Sequence, residues 1–196
     1  MRYAQVTLLG DASIPLYRGN PTLSVQFEQN IANADYVQHL YDLFSNFTGT
    51  PPRVNNIRGG GARNRQSLRF QTYSHPDFKF YYDLFYPAHA AEGGGCSRKK
   101  RVPKNIHDIL TARALAYWFM DDGNSFQNGR HRAYRFSTNA LEDQSLLVEV
   151  LRDNFDIDAT IQKDRSHYRL YIRSKSNQRF LYLIRPYIQT CFAYKM

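Results

Sequence analysis

Leu115-Ala116-Tyr117-Trp118-Phe119-Met120-Asp121-Asp122-Gly123 runs from an apolar segment straight into two carboxylates and a glycine. It reads as a short apolar helix with an acidic end. Thr7-Leu8-Leu9-Gly10-Asp11 has the same character near the start of the chain. The two acidic ends, Asp11 and Asp122, are separated by slightly more than half of the 196 residues. A lone acidic pair at a helix end is ordinarily a solvated terminus. An aspartate at a helix C-terminus is nevertheless disfavoured by the helix dipole, so two at matched positions need a reason.

The segments beyond the two acidic ends match as well. Each end leads into a polar turn and then a strand of period-two alternation. Leu23, Val25 and Phe27 face one way, Ser24, Gln26 and Glu28 the other. In the second half Tyr134 and Phe136 alternate with Arg135, Ser137 and Asn139. An amphipathic helix comes next, carried by Tyr36, Leu40, Leu43 and Phe44 in one half and by Leu146, Val150 and Leu151 in the other. Hairpins come after it, over Arg53 to Arg58 with Arg65 to Tyr73, and over Ala159 to Lys163 with His167 to Arg173. Closing helices are expected over Phe78 to Phe85, after Pro76, and over Phe180 to Ile184, after Ser176. The order helix-strand, helix, strand-strand, helix thus occurs twice. The chain reads as an α+β pseudo-dimer with halves 1–95 and 96–196 and a linker near 88–101.

The polar rows of these strands are unusual for a solvated face. Arg53, Asn55, Arg65, Ser67, Arg69, Gln71 and Tyr73 form them in the first hairpin, joined by Ser24, Gln26 and Glu28 of the strand before it. Gln162, His167, Arg169, Tyr171 and Arg173 form them in the second, joined by Arg135, Ser137 and Asn139. Such groups read base edges and phosphates, and a two-stranded ribbon fits the major groove. The bulk properties agree. The net charge is +9 with pI about 9.6, and nineteen arginines outnumber seven lysines. Arginine forks suit phosphate and guanine. Cys96 and Cys191 offer neither a disulfide framework nor a zinc site, and His107, His131 and His167 have no ligand spacing. No apolar run is long enough to span a membrane.

Together, LAYWFMDDG at Leu115 to Gly123 and LLGDA at Leu8 to Ala12 resemble the two motifs of single-chain LAGLIDADG homing endonucleases. Lys99-Lys100-Arg101-Val102-Pro103 resembles the basic segment before the second motif, and Pro186-Tyr187-Ile188 with Tyr194-Lys195 the family's C-terminal element. The resemblance implies duplicated αββαββα halves whose two antiparallel sheets form a DNA-binding saddle. It implies Asp11 and Asp122 as metal-binding acids and Lys100 and Lys195 as active-site lysines. Adjacent helical residues diverge by about 100°, so Asp121, like Gly10, would offer its backbone carbonyl. Such all-oxygen donors suit two or three Mg²⁺ ions, with Mn²⁺ as an alternative. Val6 and Tyr117 stand where the family places small residues, which leaves close helix contact to Gly10 and Ala116.

The expected activity is cleavage of a long, non-palindromic site in duplex DNA by a monomer in an organelle, a mitochondrion before a chloroplast. The rival is a maturase, binding intron RNA on the same scaffold; a third reading is a degenerate structural protein in a ribonucleoprotein. The presence of Asp11, Asp122, Lys100 and Lys195 together favours the nuclease.

Overall fold

A computed structural model describes residues 7–16, 23–57, 65–87, 89–90, 96–97, 99–129, 131–137, 141–164 and 167–196. The chain divides into two compact units, one of residues 11–98 and the other of residues 99–196 together with the segment that ends at Gly10. Each is built on an antiparallel sheet with helices against one face, an α+β arrangement.

In the first unit the sheet contains β1 (Gln26–Asn30), β2 (Arg53–Ile57) and β3 (Arg65–Gln71), in the order β1-β3-β2. Helix α1 (Ala34–Leu43) opens with Asp35 in its first turn, where an acid suits the dipole. It buries Tyr36, Val37 and Leu40. The apolar row Leu23, Val25 and Phe27 is buried as its alternation predicts. Phe27 stacks on Phe70 at 4.5 Å, and Tyr41 meets Phe70 edge-on at 5.5 Å. Pro76 precedes α2 (Phe78–Phe85), where its missing N–H costs no helical bond. Residues His89–Ala90 (β4) and Cys96–Ser97 (β5) form a short two-stranded pair.

The second unit has the αββαββα order. After the single turn α3 (Ile106–Ile109) come α4 (Ala112–Asp122), β6 (Gly123–Asn128), β7 (His131–Ser137), α5 (Leu141–Phe155), β8 (Ala159–Asp164), β9 (His167–Ile172) and α6 (Asn177–Ile184). The four strands are ordered β6-β7-β9-β8. Thr111 caps α4, its side chain accepting from the Ala114 N–H at 3.2 Å. Every residue from Ala114 to Met120 is buried, so the middle of this helix is enclosed all round. Trp118 stacks on Phe136 at 3.9 Å, and Phe119 meets Phe180 edge-on at 5.2 Å, which ties α4, the sheet and α6 into one core.

The expected polar turn after Asp122 is absent, and with it falls the three-strand count for the second half. Strand β6 starts at Gly123 directly from the helix. A Cβ on Gly123 would lie 2.4 Å from the Phe119 carbonyl oxygen, so the helix leads straight into the strand only with glycine there. The strand Gly-Asn-Ser-Phe-Gln-Asn carries no apolar alternation, which hid it from the periodicity. In the first unit, an antiparallel bridge from Ser13 to Gln26 occupies the corresponding place. Two strands end slightly earlier than expected, at Gln71 and Ile172, leaving Tyr73 and Arg173 just beyond them. Among the described residues no helix is long and apolar enough to cross a membrane.

Candidate nucleic-acid interface and acidic motifs

Register decides which polar residues share a face. In the first sheet Gln26 pairs with Gln71, Glu28 with Arg69, Arg53 with Arg69 and Asn55 with Ser67. The expected row therefore lies on one side, opposite Phe27 and Phe70, and is crosslinked within itself. Arg69 Nη2 donates to Gln26 Oε1 at 2.7 Å, and Gln71 Nε2 donates to the Ser24 hydroxyl. Asn55 Nδ2 donates to Glu28 Oε1 at 3.0 Å, as does the Ser67 hydroxyl. The Ser67 hydroxyl, the Asn55 amide and the Arg69 charge hold the Glu28 carboxyl below its ordinary range, against the opposing pull of burial. Ser24 and Ser67 are buried and support longer neighbours. Arg53 and Arg65 are exposed. Tyr73 is 61% exposed, with its hydroxyl close against Gly49.

The second sheet repeats the scheme. Arg135 pairs with Tyr171, Ser137 with Arg169, and Gln162 with Arg169. Arg135 Nη1 donates to the Tyr171 hydroxyl at 3.2 Å, and its guanidinium lies 4.9 Å over the Phe126 ring. Arg173 is exposed. His167 lies in register with Asp164. Asn139 falls outside the described residues. Sequence reasoning missed Asn124 and Phe126, because β6 itself was not seen, and it missed Asp164. Register pairs Asn124 with Arg135. The signal for Asp164 was available: it comes after Gln162 at the period-two spacing.

The acidic motifs are held by contacts within each unit. Asp11 belongs to the first unit and is exposed; Gln29 Nε2 donates to its Oδ2, and Gln29 Oε1 in turn accepts from Asn33 Nδ2 at 3.3 Å. Gln29 is a supporting residue that the sequence did not single out. Gly10, Asp121, Asp122, Lys100 and Lys195 all belong to the second unit. Lys100 Nζ donates to the Gly10 carbonyl, across ninety positions of sequence. Lys195 is buried in a 3₁₀ turn (Thr190–Lys195), and its Nζ donates to the Met120 carbonyl at 2.7 Å and lies 3.5 Å from that of Phe119. Each lysine thus holds a carbonyl at the end of one motif; that of Met120 lies in the last turn of α4, where the helix dipole favours a cation. Asp121 and Asp122 form the last two residues of α4, and Asp121 packs against Gly10. The donors available at these ends are carboxylate and carbonyl oxygens, a set that fits a hard divalent ion.

Gly10 has no room for a side chain. A Cβ there would lie 2.0 Å from Asp121 Oδ2 and 2.6 Å from Asp121 Cβ. The second clash is with the root of a side chain and cannot be relieved by rotation. Gly10→Ala is therefore expected to cost about 1–3 kcal/mol of stability, as overpacking does. Urea denaturation measures it, and Asp121→Gly added to the same chain should recover part of the loss. An unchanged midpoint for Gly10→Ala would show that the segment has room against α4.

The two sheets carry arginine-bearing faces, and a lysine holds a carbonyl at the end of each acidic motif. The profile of the LAGLIDADG DNA endonuclease family matches residues 7–180, and the chain belongs to that family. Among individual proteins, the structure is similar to that of the homing endonuclease I-WcaI bound to its DNA recognition sequence, with a TM-score of 0.84 and 25% identity, covering 99% of this chain and 84% of that one. The sequence is 27% identical to the cytochrome b mRNA maturase bI2 of Saccharomyces cerevisiae, over 97% of this chain and 45% of that protein. It is 26% identical to a probable intron-encoded endonuclease of Wickerhamomyces canadensis, over 96% of this chain and 80% of that protein. The chain therefore spans less than half the length of the maturase it matches.

Proposed function

We propose that this chain is a site-specific endonuclease that cuts both strands of a long, non-palindromic duplex site by Mg²⁺-dependent phosphodiester hydrolysis. The observation that carries the reading is the pair of lysine–carbonyl contacts, Lys100 on Gly10 and Lys195 on Met120, which place a cation at the end of each acidic motif. A protein that only binds has no use for two such ends.

In this reading Asp11 and Asp122 would each supply a carboxylate to a divalent ion, one acid for each strand to be cut, and the Asp121 carbonyl, with the lone pair of the Gly10 carbonyl that Lys100 leaves open, would add neutral oxygen donors. A bound divalent ion lowers the pKa of a coordinated water and offsets charge on the leaving oxygen. Lys100 and Lys195 supply fixed positive charge against the extra negative charge that develops on the phosphate. Arg53, Asn55, Arg65, Arg69 and Gln71 of one sheet, with Arg135, Ser137, Gln162, Arg169, Tyr171 and Arg173 of the other, reach bases and phosphates. Since the two rows differ in sequence, they suit unlike half-sites. The chain would act as a monomer. The cytochrome b transcript in the name of one relative supports an organellar setting, a mitochondrion first.

That same relative is called a maturase, which favours intron RNA as the second reading. Groove geometry separates the two. The major groove of B-form DNA admits a β-ribbon, whereas that of A-form RNA is too deep and narrow. With labelled duplex DNA of the uninterrupted host gene, unlabelled intron RNA should compete poorly at matched salt in Ca²⁺, and Mg²⁺ should yield one double-strand break. Tighter binding to RNA without cleavage would overturn the endonuclease reading in favour of the splicing factor.

A further inference from the structure

Resting on that reading, one side chain of the second sheet works against duplex binding unless it does something else. Asp164 is the one acidic residue in β6, β7, β8 and β9, and it lies on the arginine-bearing face. A carboxylate there repels the phosphates that the face is built to meet. Its Oδ2 accepts from Arg169 Nε at 2.8 Å and lies 3.6 Å from Arg135 Nη1. Arg135 stands on β7 and Asp164 on β8, with β9 between them, so the ion pair reaches across the central strand. All three side chains are about a quarter exposed, at 22%, 29% and 31% for Arg135, Arg169 and Asp164. Arg135 is held from further sides by the Tyr171 hydroxyl and by the Phe126 ring beneath it.

We propose that Asp164 is a positioning residue for specificity: it fixes Arg135 and Arg169 so that they read base edges and cannot swing to the nearest phosphate. Guanine recognition needs both N–H groups of one guanidinium edge in the plane of the base, and a fixed fork meets that condition at a single register. An untethered arginine satisfies itself on any phosphate, which adds affinity without discrimination. Asp164 thus lowers affinity for all DNA and lowers it least for the right sequence.

The test uses the full chain and its Asp164→Asn and Asp164→Glu variants. A randomised duplex library, selected in Ca²⁺ against the native chain, supplies the preferred duplex, and a scrambled duplex of equal length supplies the reference. Asp164→Asn should bind the scrambled duplex more tightly, with a salt slope steeper by about 1–2 because one carboxylate is lost and two cations are released. Its ratio of preferred to scrambled affinity should fall about tenfold, within what one base contact discriminates. The melting temperature should stay near native, and Asp164→Glu should keep most of the ratio. An unchanged ratio in Asp164→Asn, or weaker binding to the scrambled duplex, would overturn the proposal while leaving the endonuclease reading intact. A native chain that enriches no sequence overturns both.

Discussion

Asp122→Asn is expected to lower double-strand cleavage by about a thousandfold or more while leaving duplex affinity within a few-fold of native. The substitution keeps the size of the side chain and removes only its charge. Metal-borne stabilisation of a transition state is worth several kcal/mol, and each 1.36 kcal/mol is tenfold in rate. The two sheets that carry the arginine rows are untouched, so binding should survive. A second readout is independent of turnover. Ligands that bind only the native state raise its melting temperature, so Mg²⁺ or Ca²⁺ should stabilise the native chain and do so less for the variant. Asp11→Asn should behave likewise. A variant that cuts both strands at the native rate would remove its aspartate from the mechanism, and one that also loses duplex binding would make the carboxylate a structural group.

The largest effect on stability is expected from Trp118→Ala. Trp118 is 2% exposed and stacked on Phe136 in the second unit's core. Truncating a buried tryptophan removes its transfer energy and leaves a cavity, for a loss of roughly 3–5 kcal/mol. In a chain of this size that lowers the melting temperature by about 6–20 °C. Trp118→Phe, which keeps an aromatic face against Phe136, should lose much less. Trp118 is also the chain's one tryptophan, so its emission reports unfolding of the second unit directly in the native protein. A loss below about 1 kcal/mol in Trp118→Ala would mean that the ring is not part of the core that positions α4.

Much of this was legible because apolar periodicity is a local property. Leu23, Val25 and Phe27 declare a half-buried strand by themselves, and the duplicated element order made each half a check on the other. The polar rows were equally readable, since alternation assigns Arg69 and Gln71, or Arg169 and Tyr171, to one face before any register is known. Strand β6 was not readable: Asn124, Ser125, Gln127 and Asn128 give alternation nothing to act on, and pairing with β7 makes it a strand. The supports of the motifs were hidden for a different reason. Gln29 reaches Asp11, Lys100 reaches Gly10 and Lys195 reaches Met120 only through tertiary contacts between positions far apart in the chain. Family resemblance singled out the two lysines, but not the carbonyls they hold. Asp164 was passed over because the expected strand stopped at Lys163, one residue short of it, and its two arginine partners emerge only from the tertiary structure.

The boundary between the units falls between Gly10 and Asp11, inside the first motif, and again between Arg98 and Lys99. Anyone recombining halves from two members of this family would therefore need a crossover at each of these places. A single join at Arg98 would graft a foreign residue 10 against the native Asp121 and Lys100, where nothing larger than glycine fits. Chimeras cut at both places would carry each acid with the sheet of its own unit, and the parental specificities should then be exchangeable as whole cassettes.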